Sequence, residues 1–296
     1  MVHPSPDGDA GEQARDPQYP GGPPPPGLDV SVPHPARVWN YWLGGRDYFA
    51  ADRAAGEEMG SQFPHVAEIA RAERAFLVRA VRFLAGPARL RQFLDLGAGL
   101  PAGGNTHEIA QRIAPDSRVV YADNDPAVLL HADALLGNPT LASSPWGVVR
   151  YIDADVRDVA AVLARAADTL DFARPVALIM LGILGHIEDY GAARSITSQL
   201  ADALPAGSYL AIADGVTTSE ASRAAQQRYN KHASVPYQLR RPDELAGLFG
   251  GLDLIDPGVV PCPQWKPDGR DGDRGAGGAG GAGGEAAAYC GVARKP

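Results

Sequence analysis

Short apolar runs alternate with stretches of helical periodicity through most of the chain after residue 90. The apolar runs have the length of buried strands and lie near 92–95, 118–122, 148–152, 176–181 and 208–213. The intervening stretches favour helices near 104–113, 126–136, 157–167, 188–203 and 218–231. This alternation predicts a parallel sheet with helices on both faces and a ligand site at the carboxyl ends of its strands.

A polar leader and a set of helices precede this pattern. Residues 1–30 are rich in Pro and Gly and have few large apolar side chains, so we expect a disordered tail; a polyproline ligand for a partner domain is the alternative. Residues 34–60 predict a helical cap, in which one short aromatic helix ends at Gly44 and Gly45 and Asp52 caps the next. A longer helix is predicted near 66–84, and residues 31–296 are expected to form one domain.

The last part of the chain predicts two strands joined by a long connection. The strands are expected within 252–262 and 286–293, and the Gly-rich segment 267–285 is expected to be a mobile loop. The aspartates near this segment lack the spacing of a calcium loop. Cys262 and Cys290 lie near the ends of the two runs, so a disulfide stays possible, although a cytosolic chain favours reduced thiols.

Composition narrows the class of partner. The chain has 296 residues, 45% apolar content and a net charge of −8, so it has no long-range attraction for nucleic acid or anionic membranes. No apolar run reaches the roughly 20 residues of a membrane span, and the polar start lacks the apolar stretch of a secretory signal. We therefore expect a cytoplasmic protein with a small-molecule substrate and no nucleic-acid or membrane partner; its oligomeric state stays open.

The segment 93–105 carries the most specific signal. Asp95 ends an apolar run, and Gly97 and Gly99 follow where a helix is about to begin, which allows the backbone to approach a nucleotide-like ligand. The pattern from Gly97 to Ala102 also matches a dinucleotide loop, which keeps a nicotinamide enzyme open. However, Pro101 removes one loop amide and Asp95 repels a pyrophosphate, so a ligand with an ammonium and no phosphate fits better.

Carboxylates also follow the next two predicted strands. Asp123 is placed to accept the hydroxyls of a ribose, while Asp125 is expected to cap the following helix; the reverse assignment is the alternative. Asp155 can accept an adenine amino hydrogen while the Val156 amide donates to a ring nitrogen, unless Asp155 is simply a surface residue. The three strand ends together predict one nucleoside-binding cleft.

These motifs give the chain a family resemblance. It resembles class I S-adenosylmethionine-dependent methyltransferases, and more narrowly an actinobacterial family of S-adenosyl methyltransferases of unknown function, from about Pro33 to Pro296. The resemblance rests on residues 36–53, 92–101, 118–126, 151–158 and 289–296. It implies an α/β, doubly wound, mostly parallel seven-stranded sheet with an antiparallel last strand, preceded by amino-terminal helices. Pro101 departs from the general pattern, which often has a third glycine there.

The resemblance also implies S-adenosylmethionine as cofactor and a set of residues that hold it. Asp95, Gly97 and Gly99 are expected around the methionine part, Asp123 and Asn124 at the ribose, and Asp155 and Val156 at the adenine. The amino-terminal segment is expected to fold over the cleft, with Arg37 pairing with the cofactor carboxylate beside Tyr41, Gly44, Gly45 and Asp47. Its aromatic residues mostly pack, but one or two of Trp39, Trp42, Tyr48 and Phe49 are expected to line the pocket.

The candidate for acid–base chemistry is His186, which follows the fourth predicted strand. A histidine that only caps a helix or bonds to backbone is the alternative; Asp214, Tyr229 and His232 are weaker candidates. No metal site is expected, because neither His107 nor His186 has a second ligand at helical spacing. The predicted function is methyl transfer to a small-molecule acceptor. A non-catalytic regulator that binds S-adenosylmethionine and an NAD-dependent oxidoreductase are the alternatives.

Overall fold

The computed structural model describes residues 28–63, 65–130, 147–217, 220–231, 235–267 and 287–296. The predicted disordered tail, apart from residues 28–30, and the predicted mobile loop, apart from residue 267, lie outside these ranges. Of the predicted helix 126–136, residues 126–130 are described and are helical. The tail and the loop therefore stay predictions.

Among the described residues, eight strands form one mixed sheet. They are β1 (Gln92–Leu96), β2 (Arg118–Asp123), β3 (Val148–Asp153), β4 (Ala177–Leu181), β5 (Tyr209–Gly215), β6 (Asp253–Leu254), β7 (Val260–Pro261) and β8 (Ala288–Arg294). Their order is β3-β2-β1-β4-β5-β8-β6, and β7 also pairs with β8. Strands β1 to β5 are mutually parallel, whereas β8 runs antiparallel to β5, β6 and β7. The predicted fold class, a mostly parallel sheet with an antiparallel last strand, is confirmed, but the described sheet has eight strands where seven were predicted.

Helices precede and connect the strands. The described α-helices are α1 (Pro35–Trp42), α2 (Ala50–Gln62), α3 (Val66–Ala85), α4 (Thr106–Ile113), α5 (Val159–Ala166), α6 (Tyr190–Ala203), α7 (Glu220–Asn230) and α8 (Pro242–Gly247). Two 3₁₀ turns span Leu184–His186 and Cys262–Gln264. The helix α8 is absent from the periodicity prediction, because its six residues are too few to establish a helical period.

Alternate residues of each buried strand face opposite sides of the sheet, and each side has its own helices. Leu94 of β1 joins a core with α5, α6 and α8, whereas its neighbour Phe93 joins a core with α3 and α4. Leu178 and Ile179 of β4 divide between the two cores in the same way. Because both faces are buried, the strands are apolar throughout, and the sheet is doubly wound as the alternating pattern predicts.

The predicted strand within 252–262 divides into two short strands. β6 and β7 both pair with β8, and residues 256–258 form the turn between them, with Gly258 at a φ of +85°. A positive φ is a conformation that glycine adopts without the strain of a Cβ. The turn interrupts the apolar run, which explains why this run yields two short strands, both paired with β8, rather than one long strand.

The amino-terminal helices are joined by one buried carboxylate. Asp52 is fully buried and accepts hydrogen bonds from the Phe49 amide at 2.8 Å and the His34 amide at 2.8 Å. It thereby caps α2 from the first turn of that helix, in agreement with the predicted capping role. Gly44 follows α1 with a φ of +77°, which confirms the predicted glycine stop.

Candidate active site

A cavity of about 300 Å³ lies at the carboxyl ends of β1 to β5. Residues after each of these strands line one side of it, and α1, α2, α3 and α7 provide the other. The side near β2 and β3 carries the carboxylates of Asp123 and Asp155. The helical side is mainly apolar, and its lining includes Trp39, Trp42, Met59, Phe63, Val66 and Ile69. The cavity therefore has a polar part and an apolar part.

The loop after β1 turns through two glycines in the left-handed region. Gly97 has a φ of +70° and Gly99 a φ of +62°. A Cβ at Gly97 would lie 2.7 Å from Ile183 Cγ1, whereas a Cβ at Gly99 would meet no atom within 4 Å. Gly97 is thus required by packing against the loop after β4, and Gly99 presents bare backbone to open space on the cavity wall.

Asp95 is buried at the base of the cavity. Its Oδ2 accepts a hydrogen bond of 2.6 Å from Thr106 Oγ1, in the first turn of α4. Burial raises the pKa of Asp95 to about 6, and the Thr106 hydrogen bond and the positive charge of Arg74 oppose that shift. Asp95 therefore ties the end of β1 to the start of α4 and faces the place where the methionine part was predicted.

The two carboxylates after β2 have separate partners. Asp123 accepts from the Gly99 amide at 2.9 Å and from the Asp125 amide at 2.9 Å, so it holds the β1 loop in place. Asp125 accepts from the Ala127 amide at 2.9 Å, which confirms it as the cap of the helix that begins at residue 126. Only Asp123 of the two lines the cavity, as the predicted ribose ligand must.

Asp155 and Asn124 lie side by side at the ends of β3 and β2. Asn124 Nδ2 donates to Asp155 Oδ2 at 3.3 Å, and Arg157 donates to the same carboxylate from Nε at 2.9 Å and from its backbone amide at 2.8 Å. The Arg157 hydrogen bonds lower the pKa of Asp155, so this carboxylate is ionised at neutral pH. Asp155, Val156 and Asn124 all line the cavity.

The predicted amino-terminal residues are not on the cavity wall. Arg37 is 2% exposed and its Nε donates to Asp52 at 3.0 Å, while the Tyr41 ring packs edge-on against Tyr48 at 5.1 Å. Asn40 holds the turn after α1, accepting from the Asp47 amide at 3.0 Å and packing where a Cβ of Gly45 would lie. None of Arg37, Tyr41, Gly44, Gly45 and Asp47 belongs to the cavity lining of the described chain.

Two of the aromatic residues in this segment do line the cavity. Trp39 and Trp42 face it from α1, with their rings edge-on at 5.9 Å. Tyr48 is buried against Tyr41, and Arg37 lies over the Phe49 ring at 5.4 Å. Two of the four aromatic residues, Trp39 and Trp42, therefore line the cavity, and Tyr48 and Phe49 pack against other side chains, as expected.

His186 lies on the cavity wall in the 3₁₀ turn after β4. Its Nδ1 is 2.9 Å from the carbonyl oxygen of Pro236, and its ring packs edge-on against Tyr237 at 5.0 Å. Because a carbonyl oxygen only accepts, Nδ1 carries the proton and Nε2 is left as an acceptor. Burial lowers the pKa of His186, so the imidazole is neutral at pH 7.

Three other residues were weaker candidates. Asp214 accepts from the Gly185 amide at 2.9 Å and the Gly215 amide at 3.1 Å, so it holds the turn that carries His186. Tyr229 lines the cavity from α7, and burial raises the pKa of its hydroxyl. His232 lies outside the described residues. In the part of the chain that the structure describes, no group of His, Cys, Asp or Glu side chains is arranged to hold a metal.

Two charged residues of α3 on the cavity wall were missed from sequence. Glu73 and Arg74 belong to the predicted helix near 66–84 but were not among the predicted site residues; both line the cavity, and Glu73 is 2% exposed. A signal was available for Glu73, since it lies four residues after Ile69 and four before Leu77 and thus on the same helical stripe.

The comparisons with known proteins identify the family. A model of the S-adenosyl methyltransferase family matches residues 22–296. The chain belongs to this family. This methyltransferase is 40% identical to a DUF574 family protein from Streptomyces avermitilis, a match that covers 90% of this chain and 99% of that one with a TM-score of 0.81. It is 38% identical to a protein from Thermobifida fusca that is provisionally named a methyltransferase, covering 92% and 98% of the two chains with a TM-score of 0.79. No curated protein matches it.

The family assignment confirms the predicted enzyme class and cofactor. The protein is an S-adenosylmethionine-dependent methyltransferase. The nicotinamide alternative, which rested on the Gly97 to Ala102 pattern alone, is not supported by any of these matches. Among the described helices, none is long and apolar enough to cross a membrane, while the cytoplasmic location and the absence of a nucleic-acid partner stay predictions.

Proposed function

We propose that this methyltransferase transfers a methyl group from S-adenosylmethionine to a small, largely apolar acceptor, with His186 as general base. The cofactor lies along the ends of β1, β2 and β3. Its methionine part is held near Asp95, Gly97 and Gly99, its ribose by Asp123 and Asn124, and its adenine by Asp155 and Val156.

The residues at these strand ends fit an adenosyl ligand. Gly99 has free space where a side chain would be, so a ligand can contact the loop backbone directly. The Asp123 carboxylate beside it is fixed by two backbone amides and can accept ribose hydroxyls with little reorganisation. Asp155 and Asn124 extend the row of polar groups to the end of β3.

The apolar part of the cavity supports the acceptor class. Beyond Gly182 and Ile183 the cavity passes between the end of β4 and the helices α1, α2, α3 and α7. Tryptophan, phenylalanine, methionine and branched aliphatic side chains dominate these helical walls. An apolar cavity wall of this kind favours a small ligand with substantial apolar surface, because binding there removes that surface from water.

The observation that carries the proposal is the protonation and orientation of the His186 imidazole. Its Nδ1–H is engaged by the Pro236 carbonyl, so Nε2 is available on a side chain that lines the cavity. Arg240 and Asp214 keep the turn in place, since Arg240 donates to the carbonyls of Leu184 at 2.6 Å and Ile187 at 2.5 Å. A neutral, oriented imidazole is suited to take a proton from an acceptor hydroxyl or amine.

When bound, the cofactor supplies an electrophilic methyl group on a sulfonium centre. The protein positions the acceptor so that its oxygen or nitrogen approaches that methyl in line. As the new bond to carbon forms and the carbon–sulfur bond breaks, the acceptor proton passes to His186 Nε2. The products are the methylated acceptor, neutral S-adenosylhomocysteine and an imidazolium that returns its proton to water.

Acceptor-dependent formation of S-adenosylhomocysteine tests this function. The full chain is incubated with S-adenosylmethionine and pools of small aromatic and aliphatic alcohols and amines, and methylated products are identified by mass spectrometry. For an acceptor found this way, we expect His186→Gln to lower kcat by about 10²- to 10⁴-fold without changing the Kd of S-adenosylhomocysteine. His65→Gln, at an exposed histidine outside the cavity, is the control and should retain full activity.

The pH profile gives a second measurement on the same acceptor. Because the His186 pKa is lowered, wild-type kcat should fall only when the pH drops below the ordinary range of histidine, and His186→Gln should remove that limb. An unchanged kcat in His186→Gln would refute the base assignment. Binding of the cofactor without any acceptor-dependent turnover would favour the non-catalytic alternative.

A further inference from the structure

One carboxyl oxygen buried on the cavity wall, Oε2 of Glu73, has no hydrogen-bond partner in the part of the chain that the structure describes. Val66, Ile69, Glu73 and Leu77 of α3 form a stripe, at spacings of three and four residues, that lines the cavity. Glu73 is the one polar member of this stripe, and it is 2% exposed. Its Oε2 is buried and has no hydrogen-bond partner among the described residues.

An unpaired carboxyl in this position is costly to the empty enzyme. A buried acid without a hydrogen-bond partner loses its hydration, and if it ionises the loss is larger still. Burial therefore raises the pKa of Glu73 well above its ordinary value, with a smaller contribution from the nearby negative charge of Asp214. A cationic ligand group in the cavity would compensate this cost, since it would pair with the ionised carboxylate.

The position of Glu73 indicates which part of a ligand it meets. A Cβ at Gly182 would lie 3.7 Å from Glu73 Oε2, so the carboxyl sits over the residue that follows β4. Strand β4 pairs with β1, whose end carries Asp95 and the glycine loop. Glu73 is thus across the β1–β4 boundary from the loop that holds the methionine part in the proposed function.

Arg74 provides the opposite charge one residue further along α3. Its Nη2 donates to the Ala102 carbonyl at 2.8 Å and to Asn105 Oδ1 at 2.7 Å, and its Nε donates to the Gly103 carbonyl at 3.2 Å. These bonds fix the guanidinium beside the glycine loop. Its remaining nitrogen, Nη1, makes no hydrogen bond within the described residues, and the side chain lines the cavity.

We propose that Glu73 and Arg74 hold the amino-acid end of the cofactor, with the Glu73 carboxylate accepting from the α-ammonium and Arg74 Nη1 donating to the α-carboxylate. The inference rests on the proposed function, because it requires S-adenosylmethionine in this cavity. Adjacent helix residues point about 100° apart, so the two charges can flank one zwitterion rather than cancel each other. This pair takes the role that the sequence had suggested for Arg37.

Three ligands that differ at one end test the Glu73 contact. S-adenosylmethionine and S-adenosylhomocysteine both carry the amino acid, whereas 5′-methylthioadenosine lacks it. By calorimetry on the full chain, Glu73→Gln should raise the Kd of S-adenosylmethionine and of S-adenosylhomocysteine by about 10- to 100-fold. The Kd of 5′-methylthioadenosine should stay within about twofold of its wild-type value. Glu68→Gln, on the same helix but outside the cavity lining, is the matched control and should change none of the three.

Proton release gives a readout that a merely structural role would not produce. Because burial raises the pKa of Glu73 in the empty cavity and an adjacent ammonium lowers it, binding of S-adenosylhomocysteine at a pH between the two values should release a measurable number of protons. Titrations in two buffers of different ionisation enthalpy measure this number. The release should vanish in Glu73→Gln and should not occur with 5′-methylthioadenosine.

Decarboxylated S-adenosylmethionine tests the Arg74 contact. Arg74→Gln should weaken binding of S-adenosylmethionine far more than binding of the decarboxylated compound, which lacks the carboxylate that Arg74 would contact. A uniform loss for every adenosyl ligand would mean that Arg74 acts only by holding residues 102–105. If Glu73→Gln weakens binding of S-adenosylmethionine but not of S-adenosylhomocysteine, the carboxyl faces the sulfonium. If it weakens binding of neither ligand, the carboxyl serves the acceptor. Both results overturn the proposal. Failure of the wild-type chain to bind any adenosyl ligand would instead refute the proposed function.

Discussion

Arg37 and Asp52 form a buried ion pair, with Arg37 Nε 3.0 Å from Asp52 Oδ1 and 2.9 Å from Oδ2. Arg37 Nη2 also donates to the Val32 carbonyl at 2.7 Å. This one guanidinium joins the segment before α1 to the first turn of α2. Its role is to hold the helices that form the apolar wall of the cavity.

Loss of this pair should destabilise the protein. Arg37→Ala leaves a buried carboxylate uncompensated, and we expect the free energy of unfolding to fall by about 3–5 kcal/mol, measured by urea denaturation with tryptophan fluorescence. Arg53→Ala is the control, because Arg53 pairs with Glu57 on the exposed face of α2 and its loss should lower the free energy of unfolding far less. If Arg37→Ala lowered the free energy of unfolding as little as Arg53→Ala, the Arg37–Asp52 pair would not have the structural role assigned to it.

Alanine at the two glycines of the β1 loop should have different effects. Gly97→Ala combines a left-handed backbone with a contact at 2.7 Å from Ile183, so we expect a loss of about 2–5 kcal/mol in stability. The new methyl of Gly99→Ala would meet no neighbouring atom, so the loss in stability should be only about 1–2 kcal/mol. Binding of S-adenosylhomocysteine should weaken, because the methyl enters the space proposed for the ligand. Thermal denaturation and calorimetry measure both quantities.

A double mutant checks the reason for the Gly97 effect. Truncating Ile183 to Gly removes Cβ, Cγ1 and Cδ1, the three atoms nearest to the new methyl, so Gly97→Ala should cost less in that background than in the wild type. Equal costs in the two backgrounds would show that the backbone conformation alone accounts for the loss.

Asp123 should be required for cofactor binding and Asp153 should not. These residues are register partners on β2 and β3, yet Asp123 lines the cavity and Asp153 is exposed outside it. We expect Asp123→Ala to raise the Kd of S-adenosylhomocysteine by at least about 10-fold, since the substitution removes the proposed ribose contacts and the acceptor of the Gly99 amide. Asp153→Ala is the matched control, and comparable calorimetric losses for the two variants would argue against the ribose assignment.

The unfolding free energy should depend on pH through Asp95. Burial raises its pKa in the folded protein to about 6 from an ordinary value of 3.8. The stability contributed by the protonated form is complete below the unfolded pKa and is lost as the pH rises through the folded one. Relative to Asp95→Asn, wild-type stability should therefore fall by about 2 kcal/mol between pH 4 and pH 7, measured by urea unfolding across that range. A pH-independent difference would refute the raised pKa.

The two cysteines should be unreactive in the folded protein. Cys262 and Cys290 are free and fully buried on the face of the sheet covered by α3, and burial raises the pKa of the Cys262 thiol. Thiolate is the reactive form, so a chromogenic thiol reagent should label neither residue until the chain unfolds in denaturant. Rapid labelling of the native protein would show that this region opens readily.

The parallel sheet was predictable because its signal is local. Strands β1, β2, β4 and β5 are mainly apolar and buried on both faces, β3 is a half-exposed edge strand, and the observed bounds of all five differ from the predicted ones by one or two residues. Asp95, Asp123 and Asp155 were found for the same reason, since each follows a recognisable strand and parallel strands end at one edge. The turn at residues 256–258 was missed because strands of two residues carry no periodicity of their own.

The sequence by itself determined the fold class, the family and the strand ends that line the cavity. Those properties follow from residue spacing within one element or from motifs of consecutive residues. Only the tertiary structure decided that Arg37 is buried against Asp52 and that Glu73 lines the cavity with an oxygen that no described residue hydrogen-bonds. The environment of a charged side chain depends on which distant elements pack around it, and Asp52 and Gly182 are such neighbours, 15 and 109 positions away in the chain.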